Sequence, residues 1–208
     1  MKIIKLTQEN YDSVASEVVQ TLNSGGVAII PTDTIYGLIA DYSNLEAREK
    51  VYEIKQRPKE KVFPVFVASI EDAKKIVQID LRQEDFAKKV WPGKVTVILN
   101  RPDGGTEGIR IPDHDFVLDI LKKFGKPIAQ TSANISGRPP LVKINNIIEI
   151  FSNTIQTPDL IIDAGDLPES QPSSGVDLTQ DFLKILREGA VSKEELQKTW
   201  SRVASENP

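Results

Sequence analysis

The chain puts small hydroxyl residues, lysines and arginines in loops where core packing would not demand them. Pro31-Thr32-Asp33-Thr34-Ile35-Tyr36-Gly37-Leu38 follows directly on the apolar run Val27 to Ile30. Ligand sites in α/β sheets gather at the carboxyl ends of strands, so this loop is well placed to hold a small polar molecule. The same Thr and Asp residues would equally suit an Asx- or ST-type turn. Lys55-Gln56-Arg57-Pro58-Lys59-Glu60-Lys61 carries four cations and one anion at the end of a helical stretch. Such a run complements a helix C-terminus and is usually a solvated face. Here Pro58 fixes the chain direction and an apolar strand follows, which would hold the cations beside the sheet where a polyphosphate could sit. Thr131-Ser132-Ala133-Asn134-Ile135-Ser136-Gly137 offers hydroxyls and an amide that both donates and accepts. Pro172-Ser173-Ser174-Gly175-Val176-Asp177 pairs with Ile185-Leu186-Arg187-Glu188-Gly189-Ala190, whose arginine could fork onto a phosphate or merely join a surface ion pair.

Composition narrows the chemistry further. The 208 residues include no cysteine and one histidine, with Lys+Arg 26 against Asp+Glu 30 and a net charge of −4. Disulfides, thiolate nucleophiles, iron–sulfur clusters and Cys-based zinc sites are excluded. A multi-histidine metal site is excluded too, and no metal ligands are assigned. His114 stands alone in a loop with no serine nucleophile elbow, so it reads as structural. Neither GxxxxGK[ST] nor GxGxxG occurs in the chain. No stretch approaches the roughly 18 apolar residues of a membrane span, and Met1 to Leu6 reads as a short strand and not a signal peptide. A soluble, cytoplasmic protein without membrane association is expected, and the mild acidity argues against wholesale nucleic-acid coating.

The elements that must position these loops alternate. Strands are expected at Ile3-Ile4, Val27 to Ile30, Val62 to Val67, Lys94 to Leu99, Gly108 to Ile111, Ile128 to Thr131, Leu160 to Ile162 and Leu183 to Leu186. Helical faces run through Val14, Val18, Val19 and Leu22, ended by Gly25-Gly26, and through Leu45, Val51 and Ile54 with Asn44 as N-cap. Ser69 with Asp72 looks like a capping box opening a third helix. Phe116 to Phe124, Ile144 to Phe151 and Glu194 to Val203 complete the helices, the last judged peripheral for its few apolar positions. The alternation predicts a single α/β domain. Hairpin-length spacings around 94–111 and 173–187 predict a mixed parallel and antiparallel sheet flanked by helices.

Taken together and in order, the loops resemble the YrdC-like threonylcarbamoyl-AMP synthase family. Its pattern is a PTDT-YGL loop, KxRP before a strand, RxP, SAN-SG, a PST-like segment and RxG. This sequence reads PTDTIYGL at 31–38, KQRP at 55–58, RIP at 110–112, SANISG at 132–137, PSS at 172–174 and REG at 187–189. The resemblance spans residues about 5 to 190, in a form without the extra C-terminal domain of longer relatives. It implies the family's twisted mixed sheet with a large basic cavity, a catalytic domain over residues 1–192 and a peripheral helix and tail over 193–208.

The resemblance implies a nucleotidyltransferase that binds ATP, L-threonine and bicarbonate, makes threonylcarbamoyl-adenylate and releases pyrophosphate. Partner proteins would then carry the threonylcarbamoyl group to the adenosine beside the tRNA anticodon. By position, Thr34, Phe66, Arg110, Ser132 and Ser173 are the threonine-binding set. Arg57, Lys61, Thr106, Asn134, Val142 and Arg187 are the ATP-binding set, and Lys55 and Arg57 the catalytic pair. Phe66 stands where some relatives have histidine, and Val142 where threonine is frequent. PSSGVD replaces the usual PST-V-D, so Ser174 and Gly175 are expected to loosen that strand. A carbamate oxygen is already ionised at neutral pH, so the step needs positioning and cations, not a histidine base. Arg110 is expected to clasp the threonine carboxylate in a bidentate fork, and Mg²⁺ to be held mainly by ATP phosphates. The alternative is a non-catalytic module that binds tRNA or double-stranded RNA through the same basic concavity. Carbamoyl transfer in hydrogenase maturation would call for zinc fingers that a cysteine-free chain cannot form.

Overall fold

The computed structural model describes residues 1–58 and 63–206. Along the chain run β1 (Lys2–Lys5), α1 (Tyr11–Asn23), β2 (Ala28–Ile30), β3 (Gly37–Asp41), α2 (Leu45–Lys55), β4 (Val65–Phe66), α3 (Ile70–Ala73), α4 (Leu81–Val90) and β5 (Val95–Asn100). There follow β6 (Thr106–Arg110), α5 (Asp115–Phe124), β7 (Ile128–Ser132), α6 (Ile144–Ser152), β8 (Leu160–Asp163), β9 (Ser174–Asp177), β10 (Lys184–Arg187) and α7 (Lys193–Glu206). One 10-stranded sheet carries the order β1-β8-β2-β3-β7-β4-β6-β5-β9-β10. β1 and β2 pair parallel to β8, β4 to β6 and β5 to β9, while the β2–β3, β3–β7, β4–β7, β5–β6 and β9–β10 ladders are antiparallel. The mixed sheet expected from the hairpin spacings is present.

Helices cover both faces, and strand alternation sorts the core between them. Ala28 and Ile30 of β2 join α1 and α5 in one cluster, whereas Ile29 joins α2 and α6 in another. A third cluster gathers β5, β6 and β9 under α4 and α7. Register puts Phe66, Arg110 and Ile128 on one face of the sheet, with Gln130 and Ser132 following Ile128 by period two. α1 and α5 pack on Phe66 and Ile128. Arg110, Gln130 and Ser132 continue that face as the floor of a cavity.

Local chemistry sets the boundaries. Gly25 ends α1 at φ +74°, a left-handed turn that favours glycine, where an added Cβ would lie 3.0 Å from Asn44 Nδ2. The Asn44 side chain accepts from the Ala47 amide at 3.0 Å and starts α2. β3 has no polar alternation because all five of its residues are buried; of the motif at 31–38, residues 31–36 form the turn of the β2–β3 hairpin and Gly37 and Leu38 open β3. The Ser69 cap opens only the one-turn α3, with the Ser69 hydroxyl accepting from the Asp72 amide at 3.1 Å. The longer α4 starts instead on a reciprocal box between Asp80 and Gln83. Val62 of the expected strand lies outside the described residues.

The terminal helix packs on the third cluster. α7 turns Leu196 and Val203 fully inward, and Trp200 between them meets Phe86 of α4 edge to face at 5.7 Å. Few apolar positions suffice because spacings of four and three put them on one stripe.

Candidate functional site

A cavity of about 310 Å³ is lined by Thr34, Arg57, Arg110, Gln130, Ser132, Asn134, Arg138, Pro140, Ser173 and Arg187, among others. Its volume sits at the lower end of the roughly 300–1,000 Å³ common for ligand sites. Among the described residues four arginines and no carboxylate face it. A larger cleft of about 750 Å³ lies between the N-terminus of α4 and α7, lined partly by Asp80, Asp181 and Glu206. None of the motif residues reaches that cleft, so the arginine-lined cavity is the candidate site.

The 31–38 turn does both jobs that its residues suggest. The Thr32 hydroxyl donates to the Ile35 carbonyl at 2.7 Å and accepts from the Thr34 amide at 3.2 Å, which shapes the turn. Thr34 then presents its hydroxyl to the cavity, 3.5 Å from an Arg110 Nη1 donor. Asp33 lies beneath. Arg110 Nη2 donates to both Asp33 oxygens, at 2.6 and 2.7 Å, and Nε donates to the Gly93 carbonyl at 2.8 Å. The guanidinium also lies 5.5 Å from the Phe66 ring centroid. Burial pulls the Arg110 pKa down and Asp33 pushes it back up. The fork expected to meet a ligand carboxylate is therefore taken by Asp33, and Nη1 is the edge left toward Thr34. Phe66 is fully buried under Arg110 and packs in the α1–α5 core instead of lining the cavity.

Gln56 adopts a left-handed conformation, φ 51°, at the end of α2. That turn sends Lys55 and Arg57 in different directions. Arg57 is half-buried, lines the cavity and stacks on Phe63 with its guanidinium carbon 5.2 Å from the ring centroid. Lys55 turns inward and is 1% exposed. Its Nζ donates to the Ser132 carbonyl at 2.5 Å, the Asn134 carbonyl at 2.7 Å and Asn134 Oδ1 at 3.3 Å. Lys55 thus pegs the 132–137 loop and is not among the residues that line the cavity. Three acceptors are a full complement for an ammonium. Burial, with a smaller push from Arg57, nonetheless lowers its pKa to about 7. The unfolded chain keeps this proton up to about its ordinary 10.5, so between those values the unfolded state binds more protons. Stability therefore rises as pH climbs through that window. Urea midpoints at about pH 6 and about pH 9 should show the gain in the wild type but not in Lys55→Met.

The loop that Lys55 holds is wired through Asn134. Ser132 Oγ donates to Asn134 Oδ1 at 2.5 Å, and Asn134 Nδ2 donates to the carbonyls of Ile135 at 3.1 Å and Arg138 at 2.5 Å. Asn134 lines the cavity, though its amide is committed to shaping the loop. On the far wall Arg187 donates through Nε and Nη2 to the Ser173 carbonyl, at 3.1 and 2.7 Å. Burial lowers the Arg187 pKa. The Ser173 hydroxyl lies 3.0 Å from Thr96 Oγ1 and 3.3 Å from Arg187 Nη2.

At PSSGVD the β9–β10 register does shift, between Ile185 and Arg187 opposite Val176 and Gly175, but Ser174 itself is firmly held. Ser174 is fully buried, its Oγ donating to the Val191 carbonyl at 2.5 Å and accepting from the Gly189 and Val191 amides at 3.0 Å each. It staples the REG turn, and Gly189 there lies so close to the Pro172–Ser173 backbone that any Cβ would collide with it.

Three expected residues fall elsewhere. Thr106 shares the face of Arg110 by period two but is exposed at the far end of β6, about 13 Å along the strand. Val142 lines a neighbouring cleft with Glu169, Ser170 and Gln171, which shares Pro140 with the cavity. Lys61 lies outside the described residues. His114 precedes α5 and has its Nδ1 buried without a partner among the described residues; burial lowers its pKa. It does not line the cavity, in keeping with its structural reading. Asp33, Gln130 and Arg138 were absent from the expected set. A polar residue two places before Ser132 in a strand was the available signal for Gln130.

The family model covering Sua5, YciO and YrdC proteins, described as "Telomere recombination", matches residues 20–189. The chain is 32% identical over 187 residues to the threonylcarbamoyl-AMP synthase of Pyrococcus abyssi, covering 85% of this chain and 54% of that protein. It is 30% identical over 197 residues to the threonylcarbamoyl-AMP synthase of Bacillus subtilis, covering 89% of this chain and 56% of that protein. The chain thus spans about half the length of these two relatives. The crystal structure of P. abyssi Sua5 complexed with L-threonine superposes with a TM-score of 0.85 at 27% identity, over 95% of this chain and 60% of that one.

Proposed function

The chain belongs to the Sua5–YciO–YrdC family, and from that premise we propose that its cavity makes threonylcarbamoyl-adenylate from L-threonine, bicarbonate and ATP. The observation that carries the reading is one cavity joining the hydroxyls of Thr34, Ser132 and Ser173 to four arginines, with no carboxylate among its described lining residues. The hydroxyls suit a small amino acid and the arginines suit a triphosphate.

In this reading the threonine amine takes up CO₂ as a carbamate. A carbamate oxygen attacks the α-phosphorus, the bond to the bridging oxygen breaks, and pyrophosphate leaves with that electron pair. Thr34, Ser132, Ser173 and the Nη1 edge of Arg110 would hold the amino acid. Arg57 and Arg187 would neutralise charge on the phosphates, with Lys61 and Thr106 as further nucleotide contacts. The nucleoside would extend over Pro140 toward Val142. Lys55 would act by fixing Ser132 and Asn134 in place. Among the described residues the lining offers hydroxyls but no acid for a cation, and there is no cluster of three metal-ligating side chains. Mg²⁺ would therefore travel on the phosphates, supplying charge neutralisation there.

The product would pass to partner proteins that modify tRNA, and the protein would work in the cytoplasm. No helix among the described residues is long and apolar enough to cross a membrane.

Mass spectrometry of enzyme with ATP, threonine and bicarbonate should reveal threonylcarbamoyl-adenylate, with pyrophosphate release requiring both co-substrates. ATP turnover indifferent to threonine would refute the reading. Thr34→Val should raise the KM for threonine about 3- to 10-fold, as for loss of one hydrogen bond, and leave that for ATP unchanged. Salt-sensitive binding of tRNA without any adenylate product would favour the RNA-binding module instead.

A further inference from the structure

We propose that Arg138 is a further phosphate-binding residue, one that grips the departing pyrophosphate at the cavity mouth. The proposal rests on the function given above and adds a contact that none of the recognised motifs contains.

Arg138 follows the SANISG segment and lines the cavity while remaining exposed, whereas Thr34, Arg110 and Ser173 are buried. Its backbone is held firmly even so. The Arg138 amide donates to the Ile135 carbonyl at 3.0 Å, and its carbonyl accepts from Asn134 Nδ2 at 2.5 Å. Gly137 before it takes a left-handed turn at φ +80°, and Pro139-Pro140 after it restrict the chain. Asn134 is itself pegged by Lys55. A series of contacts thus runs from the buried end of α2 to a guanidinium at the opening.

The charge inventory gives that guanidinium a task. Of the cavity arginines, Arg110 is paired with Asp33 and Arg187 is bonded to the Ser173 carbonyl. Among the described residues no salt bridge involves Arg138. An exposed guanidinium beside a cavity whose described lining holds no acid can present its planar fork to a polyphosphate. Geometry selects which phosphates. In-line displacement puts nucleophile and leaving group on opposite sides of the α-phosphorus. With the amino acid on the buried hydroxyl floor, the pyrophosphate points outward, where Arg138 stands.

Calorimetry with pyrophosphate, ATP and AMP as separate probes tests this on wild type, Arg138→Gln and Arg138→Lys. Arg138→Gln should bind pyrophosphate and ATP about tenfold more weakly, with AMP affinity and threonine KM within about twofold of wild type. The salt dependence of pyrophosphate binding should become shallower by about one contact, and Arg138→Lys should restore part of the affinity. Unchanged pyrophosphate binding in Arg138→Gln, or an equal loss for AMP, overturns the proposal. A wild type that makes no adenylate overturns the synthase reading alone, since pyrophosphate binding still decides the role of Arg138.

Discussion

Asp33→Ala is expected to remove about 3–5 kcal/mol of folding stability, because it strands a buried guanidinium without its counter-charge. The two side chains are 2% and 5% exposed and meet at 2.6 Å. Arginine does not shed its proton inside a protein, so it cannot escape by neutralising as a lysine does. The Asp113 amide would also lose its acceptor, Asp33 Oδ2 at 3.2 Å. Urea denaturation is the measurement. Asp33→Asn should cost less, since an amide oxygen still accepts from Nη2. The double change Asp33→Ala with Arg110→Met should recover much of the loss, as exchanging a buried pair for apolar groups often does. A double variant no more stable than Asp33→Ala would mean that the stranded charge is not the cause.

Arg57→Ala is expected to lower kcat/KM by about 2–5 kcal/mol, or roughly thirty- to several-thousand-fold, the scale of a desolvated charge contact. Arg57 is held for that role by the left-handed turn at Gln56 and by stacking on Phe63. Burial lowers its pKa, with Tyr52 opposing. Arg57→Lys keeps a charge but loses the planar fork and most of the ring contact, so it should fall between. Pyrophosphate release by matched, folded samples reads the effect. Wild-type turnover in Arg57→Ala would take Arg57 out of the phosphate contacts.

Periodicity made most of the scaffold legible. β2, α1, α5 and α6 lie where their apolar stripes put them, and Asn44 caps α2 as its residue type suggests. β3 was hidden because five buried residues in a row carry no alternation. α4 was hidden because its start depends on Asp80 and Gln83 before a mainly polar stretch. The motif residues were legible as a set, and seven of them meet at one cavity: Thr34, Arg57, Arg110, Ser132, Asn134, Ser173 and Arg187. Their division of labour was not. Whether a lysine two places from an arginine faces solvent or core depends on one backbone dihedral at Gln56. Whether an arginine fork is open depends on a partner 77 residues away, Asp33. Such facts belong to tertiary contacts, which spacing along the chain does not encode.

The order of the sheet also sets a timetable. Among the described residues β1 has only β8 beside it, so it must wait for Leu160–Asp163 before it can pair. Ser173 immediately precedes β9 and Arg187 ends β10, the last two strands, and β9 docks on β5, which was made long before. During synthesis the cavity therefore has an open flank until the end of β10 has emerged. A growing chain that already displays Thr34, Arg57 and Ser132 still lacks two residues of its site, which is completed only once Arg187 has been made.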